Sequence, residues 1–146
     1  MNVRIKKLSE KAIVPTYGTP YAAGADLYAC IDETIEIKPG ETKMVGTGLA
    51  MEIPDGYVGL VFARSGLACK KGLAPANKVG VIDSDYRGEI KVALHNHNSS
   101  GDALPVEAGE RIAQISIVPY LKAEFELADE LEETDRGEKG FGSTGR

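Results

Sequence analysis

Short runs of alternating apolar and polar residues, each closed by a turn signal, recur along most of this 146-residue chain. The clearest runs are residues 3–7, 33–38, 42–52 and 57–63. Pro39-Gly40-Glu41 and Pro54-Asp55-Gly56 separate successive runs, so that turns follow one another at intervals of roughly ten residues. Many short strands joined by tight turns predict an all-β sandwich, barrel or jelly roll.

One segment departs from the strand pattern. Ser65 is a residue type that caps helix N-termini, and Gly72 is typical of the position after a helix C-terminus, so the sequence between them predicts a short helix of about two turns. Backbone amides exposed at a helix start bind anions, which makes Arg64, Ser65 and Gly66 a candidate anion site. Taken alone, an ordinary capped helix explains the same residues.

Composition narrows the classes of function. The formal net charge is −5 and no basic run offsets it, which argues against a nucleic-acid or membrane-surface binder. Cys30 and Cys69 lack metal-ligand spacing and lie in apolar contexts, so we expect buried, unpaired thiols. No apolar stretch is long enough for a signal peptide or a membrane span, and we expect a cytoplasmic protein.

The stretch from Val79 to Ile90 carries more polar chemistry than a turn requires. An apolar run ends at Ile82 and an alternating run begins at Ile90, which predicts a β-hairpin. The tip, residues 83–87, holds two carboxylates, a tyrosine and an arginine. Aspartate is common in turns for backbone reasons alone. The tip therefore indicates a functional site only if other segments of the chain provide something for it to act on.

The C-terminal segment loses the strand pattern. Residues 124–135 are acidic and predict either one helical turn or a solvated linker. Residues 136–146 contain four glycines and two arginines, a composition typical of a mobile tail. Their amides, hydroxyls and guanidinium groups are the donors that a phosphate requires. A P-loop is excluded, because Ser143 stands where that motif needs lysine.

Five segments, taken in order, resemble the motifs of the trimeric dUTPase family, whose members hydrolyse dUTP to dUMP and pyrophosphate. They are Ala23-Gly24-Ala25-Asp26-Leu27-Tyr28, Ala63-Arg64-Ser65-Gly66, residues 80–88, residues 109–114, and residues 136–145. Each fragment is unspecific alone, whereas five in the family's order are specific. The resemblance implies a jelly-roll-like β-sandwich with one short helix at 1–126, followed at 127–146 by a linker and a mobile glycine-rich tail that closes the active site.

The resemblance also implies the roles of two aspartates. Asp83 matches the family's general base, which activates the water that attacks the α-phosphorus. Asp26 matches an outer-sphere contact, through water, to Mg²⁺ bound by the triphosphate. A divalent cation also suits an acidic protein that must bind a highly charged anion.

The matched substrate-binding positions divide between nucleoside and phosphates. Backbone groups at Gly80 and Ile82, with the Asn77 side chain, would pair with uracil, and Tyr86 would pack against the deoxyribose and exclude a ribose hydroxyl. The phosphates would be held by Arg64, Ser65, Gly66, Gln114, Arg136, Ser143 and Thr144. In the tail, Phe141 would stack on the base next to Gly142.

By the same resemblance, the partners are dUTP and two further copies of the chain, with active sites shared between the subunits of a homotrimer. The reaction would limit uracil in DNA and supply dUMP for dTMP synthesis. The nearest alternative is dCTP deaminase, which shares the fold; the His/Cys ligand pattern of a zinc deaminase is absent from the sequence. A nucleotide-sensing or protein-binding module without turnover is the other, and the intact Asp83 and tail argue against it.

Overall fold

The computed structural model describes residues 1–140 of the chain, which contain twelve strands and one short helix. The strands are β1 (Arg4–Lys7), β2 (Thr16–Tyr17), β3 (Ala25–Tyr28), β4 (Ile35–Ile37), β5 (Thr42–Gly46), β6 (Leu49–Glu52), β7 (Tyr57–Phe62), β8 (Leu73–Pro75), β9 (Gly80–Ile82), β10 (Lys91–Asn96), β11 (Leu104–Val106) and β12 (Arg111–Pro119), and the helix is α1 (Leu67–Lys71). The all-β prediction with one short helix is confirmed.

The strands are arranged as a β jelly roll. A five-stranded sheet has the order β2-β3-β12-β7-β9, and a three-stranded sheet has the order β5-β10-β8. Two ribbons, β1-β6 and β11-β4, complete the body, and every pairing is antiparallel. Most neighbouring strands are distant in sequence, because the chain crosses between sheets at nearly every turn.

The core lies between these sheets, and each sheet contributes large apolar side chains to it. The largest fully buried ones are Leu27, Ile37, Leu49, Leu73, Ile90, Leu94 and Ile112. Burying each contributes about 1.5–3 kcal/mol relative to exposure. A buried polar side chain, Asn96, donates to the Ile37 carbonyl at 2.9 Å and accepts from the Asn98 amide at 3.1 Å, so that it ties β10 to β4.

The predicted hairpin at Val79–Ile90 is wrong. Both strands exist, but β9 pairs with β7, whereas β10 pairs with β5 and β8. The turn between them therefore passes from one sheet to another. Local alternation reveals a strand but contains no information about its partner, which the packing of the whole chain selects.

The predicted strand at 42–52 is two strands. The strand is interrupted at Thr47 and Gly48. Gly48 has a φ of +65°, a conformation that favours glycine over other residues. The Thr47 hydroxyl donates to the Ile90 carbonyl at 2.7 Å, which satisfies a buried polar group at the break.

Two local predictions around α1 are corrected. Ser65 does not cap the helix: Ser65 and Gly66 already have helical hydrogen bonding, no side-chain cap is present, and Leu67–Lys71 is π-helical. Gly72 ends the helix in the left-handed conformation, as predicted. Both cysteines are unpaired, but Cys69 is exposed and Cys30 only partly buried, because these short apolar contexts lie at the edge of the core.

The segment after β12 contributes nothing to this core. Residues 120–140 contain no strand and no helical turn, and Leu121, Phe125 and Leu127 are at least 97% exposed. The solvated-linker alternative therefore describes this part of the chain. The division at 126 stays a prediction, and residues 141–146 of the predicted tail lie outside the described residues. None of the helices in the described part is long and apolar enough to cross a membrane.

Candidate active site

A largely buried aspartate lies between two arginines where β3, β7 and β12 meet. Arg64, just beyond β7, donates from Nε to Asp26 Oδ1 at 2.7 Å. Arg111, at the start of β12, donates from Nη1 to Oδ2 at 3.3 Å. The Asp26 side chain is 13% exposed. Two guanidinium groups against one carboxylate leave this arginine cluster with one excess positive charge, which suits an anionic ligand.

An irregularity in β12 brings Arg111 to this cluster. Asp26 lies opposite Gln114, and residues three apart on a regular strand point to opposite faces. The register shifts between Arg111 and Ala113, which restores Arg111 to the face from which Asp26 projects.

Gln114 is fixed beside the same cluster by backbone contacts. Its Nε2 donates to the Ala63 carbonyl at 2.8 Å. A Cβ at Gly24 would overlap the Gln114 amide oxygen and lie 3.0 Å from its Cδ, so Gly24 gives the side chain its space. One amide hydrogen of Gln114 stays available for a ligand.

The start of α1 adds open donors next to Arg64. Ser65 and Gly66 are exposed, and no atom lies within 4 Å of a Cβ built at Gly66. Within residues 1–140 the Ser65 hydroxyl makes no protein hydrogen bond. The predicted anion-binding residues are therefore assembled beside the arginine cluster.

The predicted nucleoside-binding residues assemble around β9. This strand is the edge of its sheet: Gly80 and Ile82 pair with Val61 and Gly59, and no strand of residues 1–140 pairs with its other side. A Cβ at Gly80 would lie 3.3 Å from Asn77 Nδ2, which places the Asn77 amide against this glycine. Unpaired backbone groups beside an amide side chain are able to recognise a base edge by hydrogen bonding.

Asp83 follows β9 directly and is exposed. No ion pair engages its carboxylate among the residues that the structure describes. The turn beyond it is held by backbone acceptors, since Tyr86 N donates to the Asp83 carbonyl at 3.2 Å and Arg87 Nη1 to the Ser84 carbonyl at 2.6 Å. Asp83 thus presents an accessible carboxylate on a turn held by hydrogen bonds.

Among the tail residues assigned to the substrate, the structure describes Arg136, which binds within its own segment. Arg136 is exposed, and its Nε donates at 2.9 Å to the Lys139 carbonyl in a local turn. The other tail residues assigned to the substrate, Phe141, Gly142, Ser143 and Thr144, lie outside the described residues.

A metal could be held here only together with a ligand. Residues 1–140 contain no cluster of three or more carboxylate, histidine or cysteine side chains able to ligate an ion. Both oxygens of Asp26 accept from arginine, so direct coordination would break ion pairs, whereas a contact through water uses the remaining lone pairs. The His95 ring is hydrogen-bonded to Thr42 Oγ1 at 2.8 Å. The pKa of His97 is lowered, first by loss of hydration and then by the nearby Lys78 and His95.

Sequence reasoning left several contributors without a function. The sequence assigned no role to Arg111, whose bond to Asp26 ties β12 to β3. The close approach of Gly24 to Gln114, and of Gly88 to Tyr86, has no signal beyond glycine itself. These contacts join residues far apart in sequence or across a turn, which spacing alone does not reveal.

Comparisons with known proteins identify the family of this chain. The family model described as dUTPase matches residues 10–145. Deoxyuridine 5'-triphosphate nucleotidohydrolase of Nautilia profundicola is 51% identical over the full length of both chains, and that of Desulfitobacterium hafniense is 56% identical over 90% of this chain and 87% of its own. The solved dUTPase of Staphylococcus bacteriophage 80alpha with dUPNHPP has a TM-score of 0.86 and 32% identity, covering 99% of each chain. The chain belongs to the dUTPase family.

Proposed function

We propose that this dUTPase-family hydrolase converts dUTP to dUMP and pyrophosphate with a water molecule that Asp83 orients and deprotonates. The observation that carries the proposal is the accessible Asp83 carboxylate at the end of an edge strand, which has no ion-pair partner within residues 1–140. A bound dUTP analogue in the phage 80alpha structure supports the substrate, as do the names of the bacterial relatives.

In the proposed step, the water oxygen bonds to the α-phosphorus while the bond from that phosphorus to the bridging oxygen breaks. The proton passes to Asp83, and pyrophosphate leaves. A general base needs to reach the water by a hydrogen bond and accept its proton, and the exposed Asp83 carboxylate, which has no ion-pair partner in the described part of the chain, is available for this.

The nucleoside would lie along the unpaired edge of β9. Backbone groups of Gly80 and Ile82, with the Asn77 amide, would pair with uracil, and Tyr86 would face the deoxyribose. Supporting this, the edge is unpaired in residues 1–140 and Asn77 lies against Gly80. A ribose hydroxyl would be excluded by the Tyr86 ring.

The phosphates would contact the arginine cluster and the start of α1. Arg64, Ser65, Gly66 and Gln114 are assembled there, and the excess positive charge favours a triphosphate. Arg136, Ser143 and Thr144 would complete the phosphate contacts from the tail, with Phe141 stacked on the base beside Gly142.

The family is consistent with a divalent metal cofactor, and we infer Mg²⁺ held by phosphate oxygens and water. Asp26 would contact it through water, which its two arginine bonds permit. Bound there, the ion supplies charge neutralisation on the triphosphate.

The chain is further proposed to form a homotrimer with shared active sites. Supporting this, four large apolar side chains, Leu121, Phe125, Leu127 and Leu131, are 88–101% exposed in the single chain, and a partner subunit would cover them. Unpaired Cys30 and Cys69 support a reducing, cytoplasmic compartment, where the reaction would limit uracil in DNA and supply dUMP for dTMP synthesis.

Measuring pyrophosphate release with Mg²⁺ tests the activity, with dUTP, dCTP, dTTP and UTP in parallel. We expect release from dUTP alone at a high rate. Ammonia released from dCTP would instead identify a deaminase, and binding of dUTP without turnover would identify a sensing module.

Site sharing has a separate test. Chains carrying Asp83→Asn are mixed with chains lacking residues 136–146. Mass spectrometry first shows that the subunits have exchanged, and the activity of the mixed trimers is then measured. Sites that combine an intact Asp83 with a neighbour's intact tail should recover activity. Absence of recovery in mixed trimers contradicts sharing without affecting the proposed chemistry.

A further inference from the structure

The Tyr86 side chain rests on the backbone of its own turn. Its hydroxyl donates to the Glu89 carbonyl at 3.0 Å, and the residue is 44% exposed. A Cβ built at Gly88 would overlap the Tyr86 hydroxyl oxygen, with 2.6 Å to Cζ and 3.0 Å to Cε2. The outer edge of the ring therefore occupies the space that a side chain at position 88 would need.

The glycine at position 88 is required by this contact and not by the backbone. Gly88 is absent from the glycines of residues 1–140 that have positive φ, so an alanine there adopts the same backbone conformation. The steric conflict falls on the end of a partly exposed side chain, which is able to swing away. Substitution should consequently displace Tyr86 with little effect on folding.

The acceptor of the hydroxyl is itself held to the body of the protein. Glu89 Oε1 accepts from the Gly48 amide at 2.9 Å, next to the break between β5 and β6. Arg87 Nη1 also donates to the Tyr86 carbonyl at 3.1 Å. The Tyr86 ring is thus held at two points. It packs closely against Gly88, and its hydroxyl is hydrogen-bonded to the Glu89 carbonyl, three residues further along the chain.

From this geometry we propose that Gly88 and the Glu89 carbonyl are positioning elements that set sugar specificity by fixing the Tyr86 ring. The inference rests on the proposed function, in which Tyr86 faces the deoxyribose. Excluding one hydroxyl by contact requires a wall that cannot move by the width of that hydroxyl. A ring free to swing would admit ribose while the chemistry at Asp83 continued.

The test compares kcat/KM for UTP and dUTP in Gly88→Ala, with Gly18→Ala as a matched control, because no atom lies within 4 Å of a Cβ at Gly18. We expect Gly88→Ala to raise the UTP-to-dUTP ratio about tenfold or more, the size of a single steric discrimination. The control should leave the ratio unchanged. Melting temperature should change by no more than about 2 °C in either variant.

A double-mutant cycle with Tyr86→Ala separates the positioning role of Gly88 from the proposed role of Tyr86 as the wall against the sugar. If Tyr86→Ala raises the ratio and Gly88→Ala then adds nothing to it, both act through the ring. If Tyr86→Ala changes the ratio but Gly88→Ala does not, the role of Gly88 is overturned and the proposed function stands. If Tyr86→Ala leaves the ratio unchanged while dUTP is still hydrolysed, Tyr86 is not the sugar wall.

Tyr86→Phe provides a second measurement that needs no change at position 88. It removes the bond to the Glu89 carbonyl and keeps the ring, so we expect a smaller rise in the ratio than in Gly88→Ala. An unchanged ratio in Tyr86→Phe would overturn the positioning role of the Glu89 carbonyl. This measurement remains possible if the Gly88→Ala variant proves unstable.

Discussion

Two aspartates of this site are held in opposite ways. Asp26 lies on a central strand, largely buried, with each carboxylate oxygen engaged by an arginine. Asp83 lies beyond an edge strand, exposed, and forms no ion pair in the described residues. Removing a charge from water demands partners, whereas a group that acts on water must remain accessible to it.

The difference indicates a division of work within the site. The arginine cluster is a charge-paired unit that joins β3 to the ends of β7 and β12, and its proposed role is to hold the phosphates. The turn after β9 leaves its carboxylate exposed and is fixed through backbone acceptors. Four variants or conditions, in order of decreasing effect, test this division.

The largest effect is expected from Asp83→Asn. The amide cannot accept the proton of water, so turnover should fall about 10³-fold or more, while dUTP binding and melting temperature stay unchanged. Steady-state pyrophosphate release and calorimetric titration measure these quantities. Asp85→Asn, an exposed aspartate in the same turn, is the control and should retain wild-type turnover. Normal turnover in Asp83→Asn would remove it from the role of base.

Deletion of residues 136–146 should have the next largest effect. Loss of the proposed phosphate donors is expected to lower turnover about 10²-fold, the effect of removing one or two well-placed donors. Thermal stability should stay near that of the full chain, because residues 120–135 already lie outside the strands and the core. A large fall in melting temperature would mean that the segment is structural.

Asp26→Asn should act on stability as well as on activity. The variant leaves two guanidinium groups without a counter-charge, and we expect a loss of about 1–3 kcal/mol in the free energy of unfolding, measured in urea. Asp32→Asn serves as the control, because its ion pair with Lys11 is exposed and should contribute no measurable stability. Equal behaviour of the two variants would refute the contrast between paired and exposed carboxylates.

The smallest effect concerns Mg²⁺ and the free enzyme. Since residues 1–140 provide no cluster of three ligating side chains, melting temperature without nucleotide should not change between Mg²⁺ and a chelator. With a non-hydrolysable dUTP analogue present, Mg²⁺ should raise it. Stabilisation of the nucleotide-free protein would reveal a metal site made by the protein alone.

Most of the strands could be predicted from sequence because alternation and turn residues act locally. The runs at 33–38 and 57–63 correspond to β4 and β7, and Gly40 and Gly56 have positive φ in the turns that were expected. Partner choice could not be predicted, as the turn after β9 shows by joining two different sheets. Pairing depends on contacts between segments that are distant in the chain.

The candidate site divides along the same line. Asp83 and Tyr86 lie in one turn shortly after Gly80 in β9, and this turn was recognisable from the sequence. The capping role given to Ser65 was wrong, because Ser65 already lies in the first helical turn and no side chain caps the helix.

By itself, the sequence determined the all-β class, the short helix and the residues of the family motifs, because these depend on local spacing and residue type. Only the tertiary structure decided that β9 is an edge strand, that a bulge turns Arg111 towards Asp26, and that Tyr86 rests on Gly88. Each of these is a matter of register, packing or close approach between side chains and backbone. Such contacts are set by the assembled fold and not by any one segment.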